Sequence, residues 1–275
     1  MASRSSSSST KTSACLALHV DVLKRDQYAA SVVTPTQPDN ELKTLARVAG
    51  AWYLALAVTG AIGFLTLRPA LHVSSDAAAT LRNLVEKNVL AHLCVAFELA
   101  IVLTQALAAI SFYRLFRSLN AVAAGALAAF GLVNAIVILA SAACVATAVS
   151  LPGNPSLAPG GDVAATAQLL FELSLRFWDA GAVFFGLWLI PMGYVVTSTG
   201  VMPINLGRIL IAGGVGYVLG AFLPHRSSVM PHWIIDVMTV PASIGEFWMI
   251  GYLLFVGVRR VSPAAAGPLP IPGAA

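Results

Sequence analysis

The sequence predicts an all-α protein, a polytopic transmembrane bundle of six helices with two short extramembrane helices. Three observations carry that expectation. Hydrophobic residues make up 58% of the 275-residue chain and charged residues only 10%, where a soluble domain carries about a quarter charged. The apolar stretches run unbroken for about 20 residues, the length a helix needs to cross a bilayer; a barrel strand would need about 10 alternating residues. The Lys and Arg residues gather in turns and form no stripe, so no nucleic-acid partner is expected and the lipid bilayer is. In hydrocarbon each backbone N–H and C=O needs an internal partner, which a helix supplies along its own length.

The elements follow in order. Residues 1–43 read as a disordered polar leader, with a serine run at Ser5–Ser9 and prolines at Pro35 and Pro38. Its apolar piece, Ala14–Val20, is too short and broken for a signal peptide. The six-helix domain is expected over 44–260. Its first span covers Val48 to Leu67, followed by a polar segment from Arg68 to Asn88 in which Ser75 or Asp76 caps a short helix. The second span runs from Val89 to Phe112 and the third from Ala121 to Val149. The stretch Leu151–Gly161 holds three prolines and three glycines and must be a loop. Asp162 opens a helix leading into the fourth span, Leu175–Val196. The fifth covers Leu206–Leu223 and the sixth Ile234–Val258. Residues 261–275, rich in Pro, Gly and Ala, read as a disordered tail.

Asp76-Ala-Ala-Ala-Thr80 is echoed by Asp162-Val-Ala-Ala-Thr166, with Glu86 and Glu172 at the same offset. Two similar helix starts at one membrane surface account for this; a duplicated helix pair, as in transporters, is the alternative. Eleven of the 16 basic residues lie at the leader and first span entry, the second and fourth turns and the C-terminal Arg259–Arg260, against Arg68, Arg82, Lys87, Arg176 and Arg226 on the other side. The positive-inside rule then places both termini in the cytoplasm of a cell-membrane protein.

Charged and amide side chains inside spans need a reason, since an ionised group at mid-bilayer costs about 2.5–3.5 kcal/mol on insertion scales. Glu98, Asp179 and Glu246 lie in the three even-numbered spans, which run the same way, so the acids are candidates to converge in the outer half of the bundle. With Gln105, Asn134 and Arg176 they form the candidate intramembrane polar cluster. Asp179 has Arg176 three residues earlier, and Glu172 four before that, on one helical stripe. Glu98 lacks a partner at helical spacing; an interhelical hydrogen bond in its protonated form, or a proton or cation site, would account for it. Pro191 and Pro241 are expected to kink the fourth and sixth spans. Gly213, Gly216 and Gly220 give the fifth span a small-residue face, suited to intramolecular packing and less specifically to a homo-oligomer or a membrane partner.

Cys15, Cys94 and Cys144 lack metal or disulfide spacing. His225, His232 and Asp236 with Asp179 are the alternative, an outward metal site of a membrane-embedded lipid hydrolase, but no HExxH supports it. No nucleophile elbow, phosphate loop or dinucleotide fingerprint is present, so no catalytic residue, resident metal or cofactor is assigned.

From Ala46-Arg-Val-Ala-Gly-Ala-Trp-Tyr53, through Asp76-Ala-Ala-Ala-Thr80, Phe184-Phe-Gly-Leu-Trp188, Gly200-Val-Met-Pro203 and Gly207-Arg-Ile-Leu210, to Gly245-Glu246, the chain resembles a bacterial six-pass membrane family, the domain of unknown function 4386. The resemblance covers about residues 44–260. It implies a compact six-helix domain and no activity. The expected function is a non-catalytic membrane subunit or sensor, or a small ion-coupled transporter lined by the three acids.

Overall fold

The computed structural model describes residues 39–223 and 232–259, and the side chains of 39 and 232–236 lie outside that description. So do the expected leader up to residue 38, the tail, and the side chains of His225, His232 and Asp236. Six helices among the described residues are long and apolar enough to cross a membrane: Asn40–Leu71, Asn88–Phe116, Ala121–Gly153, Val163–Thr199, Ile204–Ala221 and Val237–Phe255. No strand occurs among the described residues. One further helix, Ala77–Glu86, joins the first two spans. The helix started by Asp162 runs without a break into the fourth span, 37 residues in all. Both Pro191 and Pro241 lie within continuous helices.

Helix starts follow the local chemistry. Asp76 accepts from the Ala79 N–H and Asp162 from the Ala165 N–H, at 2.8 and 2.9 Å. Each satisfies a donor that the first turn leaves unpaired. Thr80 and Thr166 return their hydroxyls to the Asp76 and Asp162 carbonyls, so the sequence echo is an N-cap signature used twice. Asn120 caps the third span in the same way, accepting from Ala123. At the other end of the fourth span Gly200 adopts φ 68°, the left-handed conformation that closes a helix.

Each span packs on the next in sequence. Lipid tails are as apolar as leucine, so close packing rather than water exclusion must hold such helices together. The fourth and fifth spans meet along a glycine seam. A β-carbon at Gly207 would stand 2.7 Å from the Gly193 carbonyl oxygen, and one at Gly214 equally close to that of Gly186. The glycine face of the fifth span is thus spent inside the protein, with Gly213 and Gly216 against Ala242 and Met238 of the sixth. Any further contact through this helix has Val215, Leu219 and Phe222 to use, which are exposed. The glycine face therefore serves the intramolecular packing that the sequence suits it for.

The buried apolar side chains form two clusters. One holds Tyr53, Phe112, Phe116, Trp188 and Met192, toward the ends of the bundle nearest residues 117–120 and 200–203. The other holds Leu71, Leu84, Val145 and Phe171, under the Ala77–Glu86 helix, here called the capped end. In the second, third and fourth spans the buried polar residues other than Ser111 fall in sequence between the two, at Glu98, Thr104 and Gln105, at Asn134 and Ser141, and at Ser174.

The first span departs from the expectation at its capped end. Ala61–Leu67 is a π-helix, closed by an N–H of Arg68 bonded five residues back to Gly63, and Arg68–Leu71 continues it. One extra residue per turn shifts the register of the inward face, so Gly63, Leu67, Arg68 and Leu71 are all buried. Arg68 therefore belongs to the span and not to the polar connection in which composition places it. Gly63 also lets this segment lie on the second span, where an added β-carbon would come within 3.1 Å of Phe97.

Candidate functional site

The π turn aims Arg68 at Glu98. Glu98 is the eleventh residue of its 29-residue helix, about 15 Å along the axis from its start at 1.5 Å per residue. Arg68 Nη2 donates to Glu98 Oε1 at 2.5 Å, and the two side chains are 3% and 0% exposed. The same nitrogen donates to Ser141 Oγ at 3.1 Å, and Ser141 donates to Glu98 Oε2 at 3.3 Å. Ser141 and Ser174 hydroxyls lie 2.9 Å apart. Since the single Ser141 proton is given to Glu98, Ser174 must be the donor in that contact. One guanidinium, one carboxylate and two hydroxyls thus tie the first four spans together.

The cluster carries no net charge. Taking both ions out of water costs several kcal/mol each, and the arrangement survives only because the pair and its hydroxyls meet in good geometry. Arg68 also stands 5.2 Å from the centroid of the Phe64 ring, within cation–π range. Its Nε and Nη1 have no protein partner among the described residues. Glu98 therefore has an ionic partner from another helix, in place of the neutral interhelical hydrogen bond or open cation site that its isolation in sequence suggests.

A second network closes the capped end. Gln168 Oε1 accepts from Thr80 at 2.9 Å, while its Nε2 donates to the Ser74 carbonyl at 3.1 Å and lies 3.1 Å from His72 Nε2. His72 stacks on Phe171 with ring centroids 5.1 Å apart and lies 3.6 Å from Glu172. Lys87 donates to the Ala70 carbonyl and Asn83 to that of Leu71. These bonds hold the Ala77–Glu86 helix against the first and fourth spans.

The expected polar cluster is divided among separate places. Glu98, Gln105 and Asn134 are buried, but Asn134 faces Gly181 of the fourth span, and neither its amide nor Gln105 Oε1 has a hydrogen-bond partner among the described residues. Arg176 and Asp179 pair at 3.1 Å, as their spacing predicts, with side chains 51% and 37% exposed. They lie at the perimeter of the bundle, not within it. Glu246 sits apart, in the sixth span, where Oε1 accepts from the Tyr53 hydroxyl at 2.7 Å. Tyr53 is buried and held edge-on by Phe112 and Trp188, at centroid distances of 5.3 and 5.9 Å.

Glu246 lines a cavity of about 290 Å³ between the first two spans and the fourth to sixth. Ionic pairs occur elsewhere in the bundle, but no Lys, Arg or His pairs with Glu246 among the described residues. Among those residues no group of three His, Cys, Asp or Glu is placed to hold a metal ion. Sequence reasoning missed Arg68, Ser141, Ser174, Gln168 and Tyr53. The two serines sit at helix–helix contacts in alanine- and leucine-rich spans and carry no local signal. Gln168 had one, as a polar side chain in the second turn of its helix.

Six long apolar helices with their ionisable groups paired inside or placed at the perimeter define a multi-pass integral membrane protein. A family model described as Domain of unknown function (DUF4386) matches residues 48–257, and the chain belongs to that family. No curated protein and no solved structure matches the chain.

Proposed function

We propose that this protein is a non-catalytic membrane subunit or sensor, a helical scaffold that responds to what occupies its lateral cavity. The observation that supports this best is the separation of the three membrane acids. Glu98 is tied to Arg68, Asp179 to Arg176 and Glu246 to Tyr53. An ion path needs groups that hand the ion on; here two of the three acids are already neutralised by a basic partner. An ion-coupled carrier would have to run through Glu246 alone, and that is the competing reading. The distribution of basic residues supports a cell-membrane protein with both termini on the cytoplasmic side; Arg68, buried and paired, drops out of the count for the opposite side.

The test is flux across proteoliposomes holding the purified full chain, with an imposed proton or sodium gradient. The sensor reading predicts flux equal to that of empty vesicles, in wild type and in Glu246→Gln alike. Flux in wild type that is abolished in Glu246→Gln establishes the carrier instead.

A further inference from the structure

The cavity beside Glu246 has a lining that specifies a ligand chemistry. Six of its lining side chains are aromatic, Tyr53, Phe64, Trp178, Phe185, Tyr217 and Phe247, and Glu246 is its one charged residue. Aromatic residues make up only 8% of the chain, so the rings are concentrated here. They are also mutually braced. Trp178 packs on Phe64 with centroids 4.5 Å apart and stacks on Phe185, which meets Tyr217 at 6.0 Å. Ring faces attract cations, and a carboxylate among them adds a counter-charge. A bound anion would meet Glu246 with no basic side chain in the lining to offset it. The volume lies at the lower end of that of small-molecule sites, about 300–1,000 Å³. Access is from the side: Leu65 and Phe247 line the cavity and are exposed on the perimeter, where the bundle meets lipid.

We propose that this cavity binds the ammonium head of a small, membrane-soluble organic amine, with the Glu246 carboxylate as its counter-ion and the aromatic rings around its alkyl or aryl part. Tyr53 is a positioning residue here, its hydroxyl fixing the Glu246 rotamer through Oε1. The proposal rests on the sensor reading in one respect, that the occupied cavity is an end point and not a stage of transport.

The experiment uses the full chain in phosphatidylcholine nanodiscs and three probes with one carbon skeleton: 4-phenylbutylamine, 4-phenylbutanol and 4-phenylbutyrate. Equilibrium dialysis against empty nanodiscs subtracts partition into lipid. Saturable binding of the amine, about one per chain, is expected, with the alcohol weaker by about tenfold or more and the acid weaker still. Glu246→Gln should lower amine affinity by about tenfold and leave the alcohol unchanged, while Ala57→Trp, which fills the cavity, should remove both. Equal binding of amine and alcohol in wild type overturns the proposal, as does amine binding indifferent to both substitutions. If the amine does not bind and vesicle flux stays at background, the ligand class fails while the sensor reading stands. If the amine binds and is carried across vesicles, the site stands and the sensor reading fails.

Discussion

Glu98 and Glu246 are the same side chain in two settings within one bundle. Glu98 is fully buried, has a guanidinium from the first span against one oxygen and a serine hydroxyl from the third against the other. Glu246 is half-buried, has a phenol against one oxygen, and borders a cavity. The first carboxylate is complete; a ligand can add nothing to it without displacing a helix. The second is held in place but not neutralised by a neighbouring cation. Burial depth alone would rank Glu98 as the functional acid. The partners reverse that ranking, because function needs a group left with something to bind.

The difference can be broken at several points. Glu98→Ala should have the largest effect, about 3–5 kcal/mol of stability, since it leaves Arg68 charged and buried; chemical denaturation in detergent micelles measures it. Ser141→Ala should come next, at about 1–3 kcal/mol, because it removes a hydrogen bond to Glu98 and leaves Ser174 without its acceptor. Glu246→Gln should cost less than about 1 kcal/mol, as the amide oxygen can still accept from Tyr53, while changing ligand affinity. Asp179→Asn is expected to be smallest, about 0–1 kcal/mol and weaker at high salt, because that pair is exposed. A Glu246→Gln penalty as large as that of Glu98→Ala would erase the distinction between the two acids.

Hydropathy made the six spans legible, and helix-start chemistry made Asp76 and Asp162 legible as caps. Spacing alone identified the Arg176–Asp179 pair, because both partners lie on one helix. The Arg68–Glu98 pair was not legible, for two physical reasons. A lone arginine after an apolar run looks like the end of a span, and only the π turn at Ala61–Leu67 carries it inward. Its partner lies 30 residues away on another helix, so no periodicity links them. The same holds for Tyr53 and Glu246, 193 residues apart. Local chemistry writes caps and stripes into sequence; contacts between helices depend on rotations that sequence periodicity fixes only loosely.

The most direct test of the lock at Arg68 and Glu98 is a double-mutant cycle on Arg68→Gln and Glu98→Gln, with unfolding free energies measured in micelles. Both single variants should be strongly destabilised and the double variant much less than their sum, with a coupling energy of about 2–3 kcal/mol. Single effects that add to within about 0.5 kcal/mol would show that the two charges do not hold each other, and the assignment of Glu98 to structure and Glu246 to binding would lose its basis.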